Sequence, residues 1–96
     1  MTGGPGPLYS PQAAAALDKL EADAAAGDLW NAVCDALDLI LDRPGSAQAR
    51  REALHTAAGT TVWKVPVRAP RETDDWVVLW AYGEHGRILI TYTGVL

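Results

Sequence analysis

Lys64 and Arg68 stand four residues apart in the stretch VWKVPVR, residues 62–68. In an extended chain alternate side chains share a face, so this spacing puts both cations on the same side of a strand. Cations placed in this way suit the binding of phosphate. Tyr92 is a phenol that a neighbouring antiparallel strand would bring near them. Arg87 opens that same strand and is a further cation whose approach depends on register. Lys64, Arg68 and Tyr92 therefore read as two cations and a phenol on the open face of a sheet. The competing reading is the solvated polar face of a two-layer domain.

The other reactive residue types fit ordinary structure. Cys34 stands four residues after Trp30 on the apolar side of its helix, where a thiol acts as a small buried hydrophobe. His55 and His85 have no partner at the spacing of a metal site or a catalytic dyad, so no metal is expected. Asp74 and Asp75 are sequence neighbours whose side chains diverge, which suits a turn better than an acid/base pair. Arg50 and Arg51 read either as cations at a helix end or as part of a basic patch. With Lys64, Arg68 and Arg87 they make the expected partner-binding set. Trp63, Trp76 and Trp80 could stack bases, but in a chain without Phe they are the large fillers for a small core.

These residues need elements to hold them. Ser10 caps a helix whose first residue is Pro11, running to Ala26 with Gly27 as its stop and Leu17, Leu20 and Ala24 on one face. Asp28 caps a second helix in which Trp30, Val33, Leu37, Ile40 and Leu41 repeat at helical spacing up to Pro44-Gly45. A link this short makes the pair an antiparallel hairpin. SAQARREAL, residues 46–54, is rich in helix formers and predicts a short third helix. The period then changes to two. Trp63, Val65 and Val67 alternate with Lys64, Pro66 and Arg68, and Pro66 requires an edge or a bulge. Trp76 to Tyr82, a turn over 83–86, and Arg87 to Thr93 form a hairpin. The fold class is α+β, a helical hairpin packed on a small antiparallel sheet.

The chain has 96 residues and is read as one domain over 8–96 preceded by a flexible lead over 1–7. Its net charge is −4, with seven acidic and two basic residues up to Gln48 and five acidic and six basic after it. That balance argues against a protein that wraps a nucleic-acid backbone, because such affinity comes from Lys and Arg. The single cysteine excludes an internal disulfide and suits a reducing, cytoplasmic location. No signal sequence or membrane span is read, and no cofactor is expected.

Taken together, YSPQAAAALDKL (9–20), a second helix ending in Pro, VWKVPVR, DWVVLW (75–80) and a last strand closing near Gly94 resemble the RelE/ParE superfamily. These are the toxins of bacterial type II toxin–antitoxin modules, and the resemblance runs over nearly the whole chain from Leu8. It implies a β-α-α-β-β-β fold with a short or missing first strand and with its last strand inside the sheet. It also implies an antitoxin partner and growth inhibition. Val77 stands where ribosome-dependent nuclease members commonly have arginine, Pro66 replaces a basic residue, and Val95-Leu96 follow Gly94 where a terminal basic residue would stand. The resemblance therefore implies a toxin that binds a target protein, as in gyrase inhibition by the ParE branch. The alternatives are a RelE-like ribosome-dependent mRNA endonuclease and a non-catalytic docking module on the toxin fold. The first would make the chain an enzyme that cleaves RNA through its own 2′-hydroxyl, with Lys64 and Arg68 stabilising the developing charge and Tyr92 moving protons as its catalytic residues.

Overall fold

In the computed structural model, which describes residues 7–96, Ser10 starts the first helix as its position suggests. Its hydroxyl accepts the Ala13 N–H, and Pro11 occupies the first turn where no N–H is missed. The lead expected over residues 1–7 lies outside the described residues except for Pro7. Helix α1 spans Pro11–Ala22 and α2 spans Gly27–Asp42, joined by a single 3₁₀ turn at Ala24–Ala26. Two sequence expectations fail here. Gly27 is the first residue of α2 with helical φ and ψ, not a stop, and Asp28 lies in the first turn instead of capping it. Ala26 stands at the N-cap of α2 without a side-chain cap bond, and it is Asp23 that caps the 3₁₀ turn, its carboxylate accepting the Ala25 N–H just after α1 ends.

The strands are β1 (Leu8–Tyr9), β2 (Glu52–His55), β3 (Thr61–Pro66), β4 (Trp76–Tyr82) and β5 (Ile88–Val95). They form one sheet in the order β1-β5-β4-β3-β2, with β1 parallel to β5 and the other pairs antiparallel. The α+β class is as read from the sequence, and the last strand does lie inside the sheet. The segment expected to be a third helix is instead a run of turns ending in β2. Tertiary partners override its helix propensity: Glu52 pairs with Lys64 and Leu54 with Val62, while the Trp80 indole N–H donates to the Ala49 carbonyl at 2.8 Å. Pro66 meets its requirement. It lies past the end of β2, so its missing N–H leaves no ladder bond unmade, and the next residue, Val67, donates to the Trp76 carbonyl.

Both helices pack on one face of the sheet. Ala13, Val33, Ile40, Val78, Trp80 and Ile90 are fully enclosed between the layers, with Val65, Val67 and Leu37 around them. Each large apolar side chain removed from water here contributes about 1.5–3 kcal/mol before entropy is counted. Trp63 and Trp80 stack with ring centroids 4.7 Å apart, and Trp63 and Trp76 lie partly buried against the same core, so these tryptophans are fillers, as expected. Cys34 is half-buried, at the margin of the core instead of within it, and Ala24 is exposed. The pairing of β4 with β5 slips between Leu79 and Trp80, leaving Thr91 as an extra residue whose hydroxyl donates to the Leu79 carbonyl. Thr93 is completely buried and its hydroxyl has no hydrogen-bond partner.

Candidate functional site

The face of the sheet turned away from the helices is open, and register determines what it carries. One row across the strands holds Glu52, Lys64, Leu79 and Tyr92. The next holds Leu54, Val62, Ala81, Leu89 and Leu8, one residue from every strand and all apolar. Leu54, Val62, Ala81 and Leu89, with Leu79 and Thr91, floor a shallow hollow of about 450 Å³, rimmed by His55, Thr56, Thr60 and Tyr82. The polar face expected of this sheet is therefore apolar across its middle. The signal lay in WVVLWAY: a run apolar at both parities supplies Val78 and Trp80 to the core and Val77, Leu79 and Ala81 to the open side.

At the lower end of this face Arg51, Lys64 and Arg68 line a second cleft of about 430 Å³ together with Glu52, Pro66, Asp75 and Val77. Lys64 and Arg68 thus share a cleft, as their spacing implies. The ammonium of Lys64 is held by the Glu52 carboxylate at 2.8 Å, an exposed pair contributing at most about 1 kcal/mol. Its effect is chemical: β2, which the sequence reading missed, brings a carboxylate to the cation that a phosphate would need.

Tyr92 stands in the same row as Lys64 with Leu79 between them, and its hydroxyl donates to the Val95 carbonyl at 2.8 Å. The ring lies over Gly94, where an added Cβ would sit 2.9 Å from the phenol oxygen; Gly94 at φ +154° also holds a conformation that L side chains rarely adopt. Tyr92 is therefore folded back along its own strand. Arg87 does not join this cluster. It closes the β4–β5 turn, where its carbonyl accepts the Gly83 N–H and its N–H donates to Glu84, beyond the Tyr82–Ile88 pair at the other end of the sheet.

The two adjacent arginines part company where the turns over 47–50, closed by the Arg50 N–H on the Ser46 carbonyl, give way to β2 at Glu52. Arg51 lines the lower cleft. Arg50 turns to the opposite face, lying over the Trp63 ring at 4.8 Å and the Tyr82 ring at 5.6 Å, with hydrogen bonds to the Tyr82 hydroxyl at 2.7 Å and the Pro44 carbonyl at 2.9 Å. It clamps the connector onto the sheet. Of the five cations expected to bind a partner, the fold gathers Arg51, Lys64 and Arg68.

Two smaller hollows lie elsewhere among the described residues, one between Asp28 and Arg71 and one between Lys19 and Gly94, and neither gathers cations as the lower cleft does. Burial, with Asp38, Asp35 and Glu21 nearby, raises the Cys34 thiol above its ordinary value, which makes it a poorer nucleophile. Among the described residues no cluster of His, Cys, Asp and Glu could hold a metal ion, and no helix is long and apolar enough to cross a membrane. Comparison with protein-family models, with curated proteins and with solved structures returns no match.

Proposed function

We propose that this protein is a toxin-like component of a bacterial toxin–antitoxin module that acts by docking a target protein on the open sheet face, without cleaving RNA. DNA gyrase is the proposed target, as the resemblance to the ParE branch suggests, and an antitoxin segment covering the same face is the proposed neutralising partner. The observation that carries this reading is the apolar row Leu54, Val62, Ala81, Leu89 and Leu8 across the open face. A desolvated apolar centre with a polar end is the composition of a protein-docking surface. A phosphate-cleaving site would instead need unpaired cations around the scissile bond, whereas Lys64 is matched by Glu52 and Tyr92 by the Val95 carbonyl. The strand–helical hairpin–meander order, with β5 inside the sheet, supports the resemblance in general terms, with β2 as an edge strand beyond the β-α-α-β-β-β order it implies.

The test is a supercoiling assay with purified DNA gyrase and purified protein. Inhibition that is lost in Leu79→Glu, with an unchanged circular dichroism spectrum, is the expected result. No inhibition by the folded wild type removes gyrase as the target, and ribosome-dependent mRNA cleavage by it would replace this reading with the nuclease one.

A further inference from the structure

The two edges of this sheet are treated differently. On the β5 side, β1 pairs with Leu89 and Ile90, and helix α1 takes over where β1 ends. The Ser10 hydroxyl donates to the Thr91 carbonyl at 2.7 Å, while the Gln12 amide accepts the Thr93 N–H at 3.0 Å and donates to the Thr93 carbonyl at 2.8 Å. That edge is closed. On the other side β2 is the last strand, and no described element covers it.

The peptide groups that β2 leaves unpaired follow from the alternation of an antiparallel ladder. Thr56 donates its N–H to the Thr60 carbonyl, so the residues of the same parity, Leu54 and Glu52, also turn their peptide groups towards β3. On the far side of β3 the Val67 N–H reaches Trp76, which fixes the same parity independently. Ala53 and His55 therefore direct their N–H and C=O groups outward. Charged side chains often guard such an edge, but the Glu52 carboxylate is already tied to Lys64. Where β3 runs past β2, Pro66 has no N–H to offer, so the pairing edge is confined to β2.

We infer that β2 pairs antiparallel with β2 of a second copy, joining the two sheets into one, with Leu54 opposite the partner's Leu54. Centring on Ala53, Leu54 or His55 keeps both sets of helices on one side, and centring on His55 sets two imidazoles face to face with Leu54 opposite the partner's Thr56. Centring on Ala53 sets Arg51 opposite the partner's His55 and Glu52 opposite the partner's Leu54, opposing a cation to an imidazole and a carboxylate to a leucine. Centring on Leu54 sets Ala53 opposite the partner's His55 and Glu52 opposite the partner's Thr56, with no like charges facing. It also places the two leucines in the close, non-hydrogen-bonded position. Leu54 ends the apolar row of the open face, so this register carries the row unbroken through both copies, over roughly 43 Å at the usual strand spacing. This pairing does not depend on what the open face docks.

Sedimentation equilibrium and light scattering on the full chain test it. The expected mass is twice the 10.2 kDa of one chain, falling towards one chain on dilution. Ala53→Pro removes an outward N–H without touching the β2–β3 ladder and yields a monomer with an unchanged circular dichroism spectrum. Leu54→Glu and Leu54→Lys, which need no backbone change, are each monomeric alone and recover the dimer when mixed in equal amounts, because only this register sets position 54 against itself. A wild type that stays monomeric at every concentration overturns the inference. So does a dimer that survives either Leu54 substitution, or a mixture of the two that fails to associate.

Discussion

Gln12 acts as a piece of strand, and replacing it should show how much the closed edge of the sheet contributes. Its carboxamide accepts the Thr93 N–H and donates to the Thr93 carbonyl, reproducing the two hydrogen bonds of a β-bridge to a residue with no exposed surface. Gln12→Met keeps length and removes both bonds. Each bond has a net worth of about 0.5–1.5 kcal/mol, and a sealed orphan group costs more, but Gln12 itself is exposed and water can reach part of the gap. The loss should be about 1–3 kcal/mol, which for a domain of this size lowers Tm by roughly 5–20 °C. Gln12→Glu separates the two halves: its carboxylate still accepts the N–H but presents an oxygen to the carbonyl. Near neutral pH it should be no more stable than the Met variant, recovering as acid protonates the side chain and restores a donor. Urea unfolding of the three proteins near neutral and mildly acidic pH is the assay. A Met variant within about 0.5 kcal/mol of wild type would refute the reasoning, since that is the range of an uninvolved surface change.

Trp80→Phe leaves the Ala49 carbonyl without its indole donor and opens a gap beside Trp63, so stability should fall by about 2–4 kcal/mol in urea unfolding. The Cys34 thiol is raised in the folded state, so the unfolded chain loses its proton first as pH rises. Stability should therefore fall from the ordinary thiol range upward through the raised value, and Cys34→Ser should flatten that decline in thermal melts across alkaline pH. If any ribosome-dependent cleavage is present, the double substitution Lys64→Ala, Arg68→Ala should abolish it without changing the circular dichroism spectrum; retained cleavage would show that another face carries it.

What could be read from the sequence was whatever depends on neighbours in sequence. Ser10 with Pro11, the stripe of Val33, Leu37 and Ile40, and the alternation of Trp63, Val65 and Val67 are local patterns, and α1, α2 and β3 follow from them. β2 was hidden because its cause is distant. Ala49 to Leu54 favour a helix by propensity, and only Lys64, Val62 and the Trp80 indole draw them into the sheet. Gly27 misled for a related reason: Asp23, four residues earlier, ends α1 and lets Gly27 begin the next helix. The site was half legible. Lys64 and Arg68 share a cleft as their spacing implied, but the carboxylate on Lys64 came with the missed strand, and Arg50 turned away because it lies in the turn before β2, against Trp63 and Tyr82.

Docking by the apolar row, as opposed to cleavage by the cations, is tested most directly by growth of a bacterial host expressing three forms of the chain at matched soluble levels. Wild type and the Lys64→Ala, Arg68→Ala variant should both slow growth, while Leu79→Glu, which sets a charge in the centre of the open face, should not. Normal growth with the wild type, or relief by the double cation variant with Leu79→Glu still inhibitory, would contradict it.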